Sequence, residues 1–257
     1  MLFGLPAILW GGWFFFLVVA FFLTAAAWEY AQMFRSMGYR VSPWLVSGAA
    51  FWLYTLRSFS EESAASWLSF LTLAFLAYHL MRYERGDPQS AFDYAISIAG
   101  VIYLGWIGAY LYLLRALPLG GWWIMLVLPI VWLADSGAYN MGARFGKHRL
   151  SPRLSPGKTW EGFVAGLFTA ILAGAFLAWA YSTFGPLQLT LWQGAALGLM
   201  LGLFTPLGDL GESLFKRQAG VKDSGQLFPG HGGAFDRTDS WLWAGVIGYF
   251  CIRYFFL

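Results

Sequence analysis

Charged residues are scarce in this chain, and cysteine is almost absent. Only 11% of the 257 residues are Asp, Glu, Lys or Arg, whereas a soluble domain carries about 25%. The net charge of +3 is small, and the basic residues lie in short loops between apolar runs, which argues against a nucleic-acid-binding surface. The single cysteine, Cys251, lies in the last apolar run and cannot form an intramolecular disulfide.

Long, continuous apolar runs dominate the sequence instead. Hydrophobic residues make up 59% of the chain and aromatic residues 20%, and the runs lack the polar alternation that is typical of membrane β-barrels. Because only helices and closed barrels satisfy the backbone in lipid, the composition predicts an all-α, polytopic membrane helical bundle. Tryptophans near the ends of the runs fit an interfacial belt.

The apolar pattern predicts eight membrane spans, or nine if a short N-terminal piece also inserts. These stretches are 2–10 for the short piece and 13–34, 43–56, 67–81, 91–114, 122–134, 159–184, 188–210 and 241–256 for the spans. The N-terminus has no basic segment before its apolar residues, so we expect it to be retained. Since no long linker interrupts the chain, we expect one membrane domain, 1–257, with N-terminal spans in 1–134 and a catalytic part in 135–257.

Lysine and arginine are distributed unequally between the two sides of these spans. Thirteen of the sixteen follow odd-numbered spans, and only Arg57, Arg115 and Arg253 lie on the other side. The positive-inside rule places the richer side in the cytoplasm. The two polar stretches, 135–161 and 211–239, would therefore face the compartment that contains nucleotide triphosphates. Glu29 lies near the end of the first span, where we expect it to be solvated or hydrogen-bonded rather than catalytic.

The longest polar run, SLFKRQAGVKDSGQLFPGHGGAFDRTD, extends from Ser213 to Asp239. Cations and carboxylates lie on both sides of a Pro-Gly-His-Gly-Gly turn: Lys216, Arg217, Lys222, Asp223, Asp236, Arg237 and Asp239. Lys and Arg bind phosphate, glycine-rich backbone exposes N–H groups to phosphate oxygens, and carboxylates hold Mg²⁺. The run predicts a site for a polyphosphate with a divalent metal.

Asp209 is the first candidate metal ligand. Four polar residues share one face of the helix predicted there: Asp209, Glu212, Ser213 and Lys216. An interfacial helix end with ion pairs is the alternative, but a charge at membrane depth costs about 2.5–3.5 kcal/mol, which favours a functional role. Gly208 and Gly211 would allow close approach of another helix.

Asp236 and Asp239 would lie on one face if the last helix begins there. Helix capping is the alternative for both, and Asp223 could equally pair with Lys222. We favour Asp236 as a metal ligand and keep Asp239 and Asp223 as further candidates. His231 has only glycine neighbours on its C-terminal side, so we expect it to contact cytidine or phosphate rather than Mg²⁺, which prefers oxygen.

The second polar stretch offers an anion site. One helical face there would carry Asp135, Tyr139 and Gly142. Ser155 before Pro156 predicts a helix N-cap with proline at the first position, so Lys158 and Thr159 would lie in the first turn, where anions bind. A basic loop that holds anionic lipid is the alternative.

Together these stretches resemble the phosphatidate cytidylyltransferases, also called CDP-diacylglycerol synthases. The stronger motif is Ser213-x-x-Lys216-Arg217, Lys222-Asp223 and Pro229-Gly230-His231-Gly232-Gly233-x-x-Asp236-Arg237-x-Asp239. The weaker one contains Asp135-Ser136-x-Ala138-Tyr139, Arg144 and Ser155-Pro156-x-Lys158-Thr159-x-Glu161-Gly162.

The resemblance implies transfer of CMP from CTP to phosphatidate at a bacterial inner (plasma) membrane, with Mg²⁺, a second cation K⁺, and a homodimer as further expectations. It implies catalytic roles for Asp209, Asp236, Lys222, Arg237 and His231, and metal binding by Asp209, Asp236, Asp239 and Asp223. The substrate-binding residues would be Ser213, Lys216, Arg217, Gly232, Gly233, Asp135, Tyr139, Arg144, Ser155, Lys158, Thr159 and Glu161.

Three other functions compete with this interpretation. A transporter tends to show internal repeats and broken helices at the midplane, and the sequence has no repeat. A CDP-alcohol phosphotransferase would need Asp-Gly-x-x-Ala-Arg with aspartates four residues apart, a pattern that is absent around 209–239. A CTP-dependent lipid kinase stays open, and its release of CDP instead of pyrophosphate distinguishes it.

Overall fold

The structure of the protein is a computed structural model that describes residues 4–225, 227 and 232–257. Helices form nearly all of its regular structure. In chain order they are α1 (Gly4–Trp10), α2 (Gly12–Ser36), α3 (Pro43–Phe59), α4 (Glu61–Glu84), α5 (Ser90–Gly100), a π-helical segment (Val101–Trp106), α6 (Ala109–Ala116), α7 (Gly120–Phe145), α8 (Trp160–Thr183), α9 (Leu191–Phe204), α10 (Pro206–Gln218) and α11 (Phe235–Phe255). The exception is an antiparallel hairpin of β1 (Arg149–Ser151) and β2 (Ser155–Thr159). The helical expectation is confirmed apart from this hairpin.

Six helical stretches in the described chain are long and apolar enough to cross a membrane: 12–36, 61–84, 90–116, 120–145, 160–183 and 191–218. They identify an integral membrane protein. Each of the eight predicted spans coincides with one to three consecutive helical elements, but the count of eight to nine crossings is not confirmed. Helix α3 has only 17 residues, α11 carries charges in its first two turns, and α1 has seven residues, which is too short to cross.

The start of α8 differs from the sequence-based expectation. Ser155 was expected to cap the helix, but Ser155–Thr159 forms β2, which pairs with β1. Thr159 is the N-cap, and its Oγ1 accepts a hydrogen bond from the Gly162 N–H at 3.1 Å. Gly157 disfavours a helix by about 1 kcal/mol relative to alanine, and β1 offers the segment a partner strand. Lys158 therefore precedes α8 instead of lying in its first turn.

Two other helix ends also lie elsewhere than predicted. Helix α7 continues past residue 134 to Phe145, so Asp135 and Tyr139 lie on a helix, as their predicted shared face requires. The predicted seventh span is divided at Thr205 into α9 and α10. The polar face of α10 points inward as expected, because Glu212 and Ser213 are buried.

The chain forms two compact units, each made of segments that are distant in sequence. The first comprises Met1–Gly11, Leu113–Leu214 and Asp239–Leu257. Its helices α7, α8 and α9 pack closely because glycines line the contact: a Cβ at Gly174 would overlap the carbonyl oxygen of Gly194. Small residues of this kind let helix backbones approach in a membrane.

The second unit comprises Gly12–Tyr112 and Phe215–Thr238. Helix α2 packs on α3, and the hydroxyl of Tyr54 donates to the Phe16 carbonyl oxygen at 3.1 Å. Arg57, expected in a loop, lies within α3 and is buried, with its guanidinium 3.6 Å from the Trp106 ring centroid. The division of function at residue 134 stays a prediction.

Candidate active site

The first unit brings four predicted site residues together: Asp135, Lys158, Asp209 and Ser213, here called the Asp209 cluster. Lys158 Nζ lies 2.8 Å from Asp209 Oδ2, and Ser213 Oγ lies 3.4 Å from Asp209 Oδ1, a long contact. Asp135 is within electrostatic range of both Lys158 and Asp209. The Lys158 and Asp209 side chains are 28% and 39% exposed, so the pair is open to a ligand.

Local structure explains how the Asp209 cluster is assembled. The hairpin places Lys158 just before α8, and Asp209 lies in the first turn of α10. A Cβ at Gly208 would lie 2.5 Å from the carbonyl oxygen of Asp239, so α10 touches the start of α11 at this point. The close approach expected at Gly208 is confirmed, whereas Gly211 faces open space and has no such role.

Two residues predicted to bind substrate have structural contacts within the hairpin. Thr159 is buried and caps α8. The carboxylate of Glu161 accepts from the His148 N–H at 3.2 Å and lies 2.6 Å from His148 Nδ1. Both side chains therefore fasten the hairpin that positions Lys158. Ser155 lies in β2 opposite Ser151.

The second unit forms a separate group around Asp236. Lys216 Nζ lies 2.6 Å from Asp236 Oδ1. Asp236 Oδ2 accepts from the Ser224 N–H at 2.9 Å, the Ser224 hydroxyl at 2.8 Å and the Gly233 N–H at 2.8 Å. Four donors thus hold this carboxylate at the start of α11. These residues, with Glu29, are called the Asp236 cluster.

Glu29 was missed as a site residue, although its hydrogen-bonded state was anticipated. It lies on α2 and is 8% exposed. Its Oε1 accepts from the Ala234 N–H at 3.0 Å, and its Oε2 accepts from the Phe235 N–H at 2.9 Å and lies 2.9 Å from the Ser224 hydroxyl oxygen. The available signal was an acidic residue within an apolar span, a placement that indicates function by default.

The glycine-rich turn was predicted to cradle phosphate through its N–H groups. Instead, the Gly233 N–H donates to Asp236. Gly232 has a φ of +79°, and a Cβ there would lie 2.7 Å from Asp236 Oδ2. Gly232 therefore permits close approach to the Asp236 carboxylate, whereas a Cβ at Gly233 would overlap Glu29 Oε2. His231 lies outside the described residues, and its contact with cytidine or phosphate stays a prediction.

The remaining predicted residues lie at the surface or near the ends of helices. Tyr139 is 77% exposed, and the others that are open to solvent or headgroups are Arg144, Arg217, Lys222, Asp223 and Arg237. Arg217 Nη1 donates to the Val221 carbonyl oxygen at 3.4 Å. Asp239 follows Asp236 by one turn of α11, as expected. These residues are accessible to an anionic ligand.

Carboxylate oxygens, as in Asp209 and Asp236, are the type of ligand that Mg²⁺ prefers. Among the described residues, no group of three or more His, Cys, Asp or Glu could hold a metal by itself. Mg²⁺ bound with a nucleotide does not need such a group, because it takes one or two carboxylates together with substrate phosphates and water. Asp209 and Asp236 each hold a lysine ammonium in the structure, so both already interact with a cation.

Sequence comparison shows the family of the chain. The sequence matches the cytidylyltransferase family over residues 1–255. The chain belongs to this family. A phosphatidate cytidylyltransferase of Synechocystis sp. is 35% identical over 274 residues, covering 94% of this chain and 89% of the relative. The enzyme of that name from Staphylococcus saprophyticus is 38% identical over 70% of this chain and 69% of its own length. That from Haemophilus influenzae is 46% identical over 54% and 48%.

Proposed function

We propose that the chain transfers CMP from CTP to phosphatidate, giving CDP-diacylglycerol and pyrophosphate for phospholipid synthesis. The observation that carries this proposal is the match to the Synechocystis phosphatidate cytidylyltransferase over 94% of the chain. The two clusters support it chemically, because each pairs the ammonium of a lysine with an aspartate in the first turn of a helix. Polyanionic substrates require such fixed cations.

The reaction is a displacement at phosphorus. A phosphate oxygen of phosphatidate forms a bond to the α-phosphorus of CTP, and the bond from that phosphorus to the β-phosphate oxygen breaks. The leaving pyrophosphate takes the electron pair. Because the attacking oxygen already carries negative charge near neutral pH, no strong general base is required. The protein must hold two polyanions together and stabilise charge on the leaving group.

The basic residues provide most of this stabilisation. Lys158 and Lys216 lie in the clusters, and the exposed cations Arg217, Lys222 and Arg237 lie within the polar run 213–239. In the proposal these side chains bind the phosphates of CTP and phosphatidate. Gly232 lies close to Asp236 and the Gly233 N–H donates to it, while in the proposal His231 contacts the nucleotide.

Magnesium would be held by Asp209 and Asp236, with Asp239 and Asp223 as further ligands. When bound, Mg²⁺ would offset the negative charge on the phosphate oxygens. A potassium ion is proposed as the second cation. The carboxylate oxygens are the hard donors that both ions prefer.

We place the enzyme in a bacterial inner membrane with its polar loops facing the cytoplasm. The thirteen lysines and arginines that follow odd-numbered spans support this orientation, and the compared relatives are bacterial. A homodimer is proposed as the assembly. Cross-linking in native membranes, compared with the mass of the protein in detergent, tests it.

The deciding experiment combines purified protein, CTP, phosphatidate and Mg²⁺ in mixed micelles. We expect a CDP-lipid and an equal amount of pyrophosphate, both dependent on phosphatidate and lost after chelation with EDTA. Release of CDP with a newly phosphorylated lipid would instead identify a lipid kinase. Absence of both products in protein with a cooperative melting transition would contradict the proposal.

A further inference from the structure

We infer that Glu29 is a positioning residue, which holds the loop and helix start that carry Asp236 in the geometry needed for turnover. This inference rests on the proposed function. Glu29 lies on α2, far in sequence from the polar run, since 195 residues separate it from Ser224. Its carboxylate is nevertheless bound to the segment on either side of the glycine-rich turn.

The contacts of Glu29 lie at the N-terminus of α11. The N–H groups of Ala234 and Phe235 both donate to its carboxylate. These N–H groups have no partner within the helix, because the first four in any α-helix precede its hydrogen-bonded ladder. A carboxylate at this end also interacts favourably with the helix dipole. Glu29 therefore fixes where α11 begins, one residue before Asp236.

Ser224 connects Glu29 to Asp236 directly. Its hydroxyl oxygen lies 2.9 Å from Glu29 Oε2 and 2.8 Å from Asp236 Oδ2. Because the hydroxyl has a single proton, it can donate to only one of these two carboxylates at a time, and the two therefore share it. Lys216 and the N-terminal end of α11 provide the balancing positive charge. A change at Glu29 must therefore alter the surroundings of Asp236.

Two glycines accommodate the Glu29 carboxylate. A Cβ at Gly225 or at Gly233 would overlap it. The chain is thus shaped to fit around Glu29 on both sides of the turn. An apolar side chain at position 29 would be buried with a smaller loss of solvation free energy than a carboxylate. The burial of a carboxylate here therefore indicates a role beyond filling space in α2.

The first test is Glu29→Gln, which keeps the size of the side chain and removes its charge. We expect kcat to fall about 10- to 100-fold, the usual scale for a residue that orients a site ligand. The Mg²⁺ concentration for half-maximal activity should rise, while the melting temperature stays close to that of the parent protein. Glu61→Gln, at an exposed position that begins α4, is the matched control and should change none of these.

A structural role makes the opposite prediction. If Glu29→Gln lowers the melting temperature but its folded fraction keeps the parent kcat and Mg²⁺ dependence, the inference is wrong. If Glu29→Gln does not fold, Ser224→Ala is the alternative test. This variant removes only the hydroxyl group that lies between the Glu29 and Asp236 carboxylates. Parent kcat in Ser224→Ala would equally contradict the inference.

A double-mutant cycle tests whether the chain at Gly225 is packed against the Glu29 carboxylate. Gly225→Ala should impair turnover in the parent protein, where its methyl group meets the Glu29 carboxylate. In a Glu29→Ala background the methyl group has room, so it should cause little further loss. Equal losses in both backgrounds would contradict the inference. Failure of the parent protein to make a CDP-lipid would instead contradict the proposed function, and the two failures are therefore distinguishable.

Discussion

Lys216 Nζ lies 2.6 Å from Asp236 Oδ1, and the two side chains are only 12% and 9% exposed. Removing one partner of a buried ion pair is strongly destabilising, whereas replacing both can be neutral. The lysine that is proposed to bind phosphate thus also stabilises the carboxylate that is proposed to bind Mg²⁺. Function and stability are coupled at this pair, so each variant needs a measurement of turnover and a measurement of thermal stability.

Asp236→Asn should reduce turnover at least ~100-fold, the scale for losing a key electrostatic group. The asparagine keeps the size of the side chain but no longer offers two charged oxygens to a cation. CDP-lipid formation per folded molecule is the measurement, with Glu62→Gln, at an exposed position that has no proposed role, as the control. Near-parent activity in Asp236→Asn would remove Asp236 from the mechanism.

Asp236→Asn should also lower stability, and Lys216→Met in the same chain should restore part of it. The single variant leaves the Lys216 charge beside a neutral amide, a change that costs about 3–5 kcal/mol for a fully buried pair. Thermal unfolding in detergent measures the effect. Activity should stay low in the double variant, and a double variant no more stable than Asp236→Asn would contradict the coupling.

Lys158→Met should lower the Mg²⁺ concentration for half-maximal activity while also lowering the maximal rate. Lys158 Nζ lies 2.8 Å from Asp209 Oδ2, so its ammonium would compete with Mg²⁺ for this carboxylate. Removing it removes that competition, but it also removes a proposed contact with phosphate. Because the pair is partly exposed to solvent, the shift in the half-maximal Mg²⁺ concentration should be at most about fivefold. Lys147→Met in the same loop is the control. An unchanged Mg²⁺ dependence in Lys158→Met would contradict the idea that Lys158 competes with Mg²⁺ for Asp209.

The sequence predicted most helices because apolar runs are local patterns, yet it could not predict the contacts that build the site. The Glu29 hydrogen bonds join residues about two hundred positions apart, and no local pattern specifies such a pair. Ser155 and Pro156 fit a helix start as well as a strand, and the choice depends on pairing with Arg149–Ser151. The charged residues of the candidate site were chosen by type, and their contact partners could be read only from the fold.

Thr159→Ala should destabilise the protein by about 1 kcal/mol, the typical loss of an N-cap. Ser155→Ala should have little effect on stability, because Ser155 does not cap α8. The melting temperatures of the two variants, measured side by side, test the corrected helix start. A larger loss for Ser155→Ala would favour the cap expected from the sequence.

Asp209 and Asp236 are predicted from the sequence to bind one shared cation, and a kinetic cycle tests this. Residues that act as a unit are non-additive, so removing a second member adds little once the first is lost. Asp209→Asn, Asp236→Asn and the double variant should therefore show similar residual turnover. Mg²⁺ dependence should be weakened to the same extent in all three. Losses that multiply in the double variant would mean that the two aspartates act independently, one on each substrate, and the shared cation would have to be abandoned.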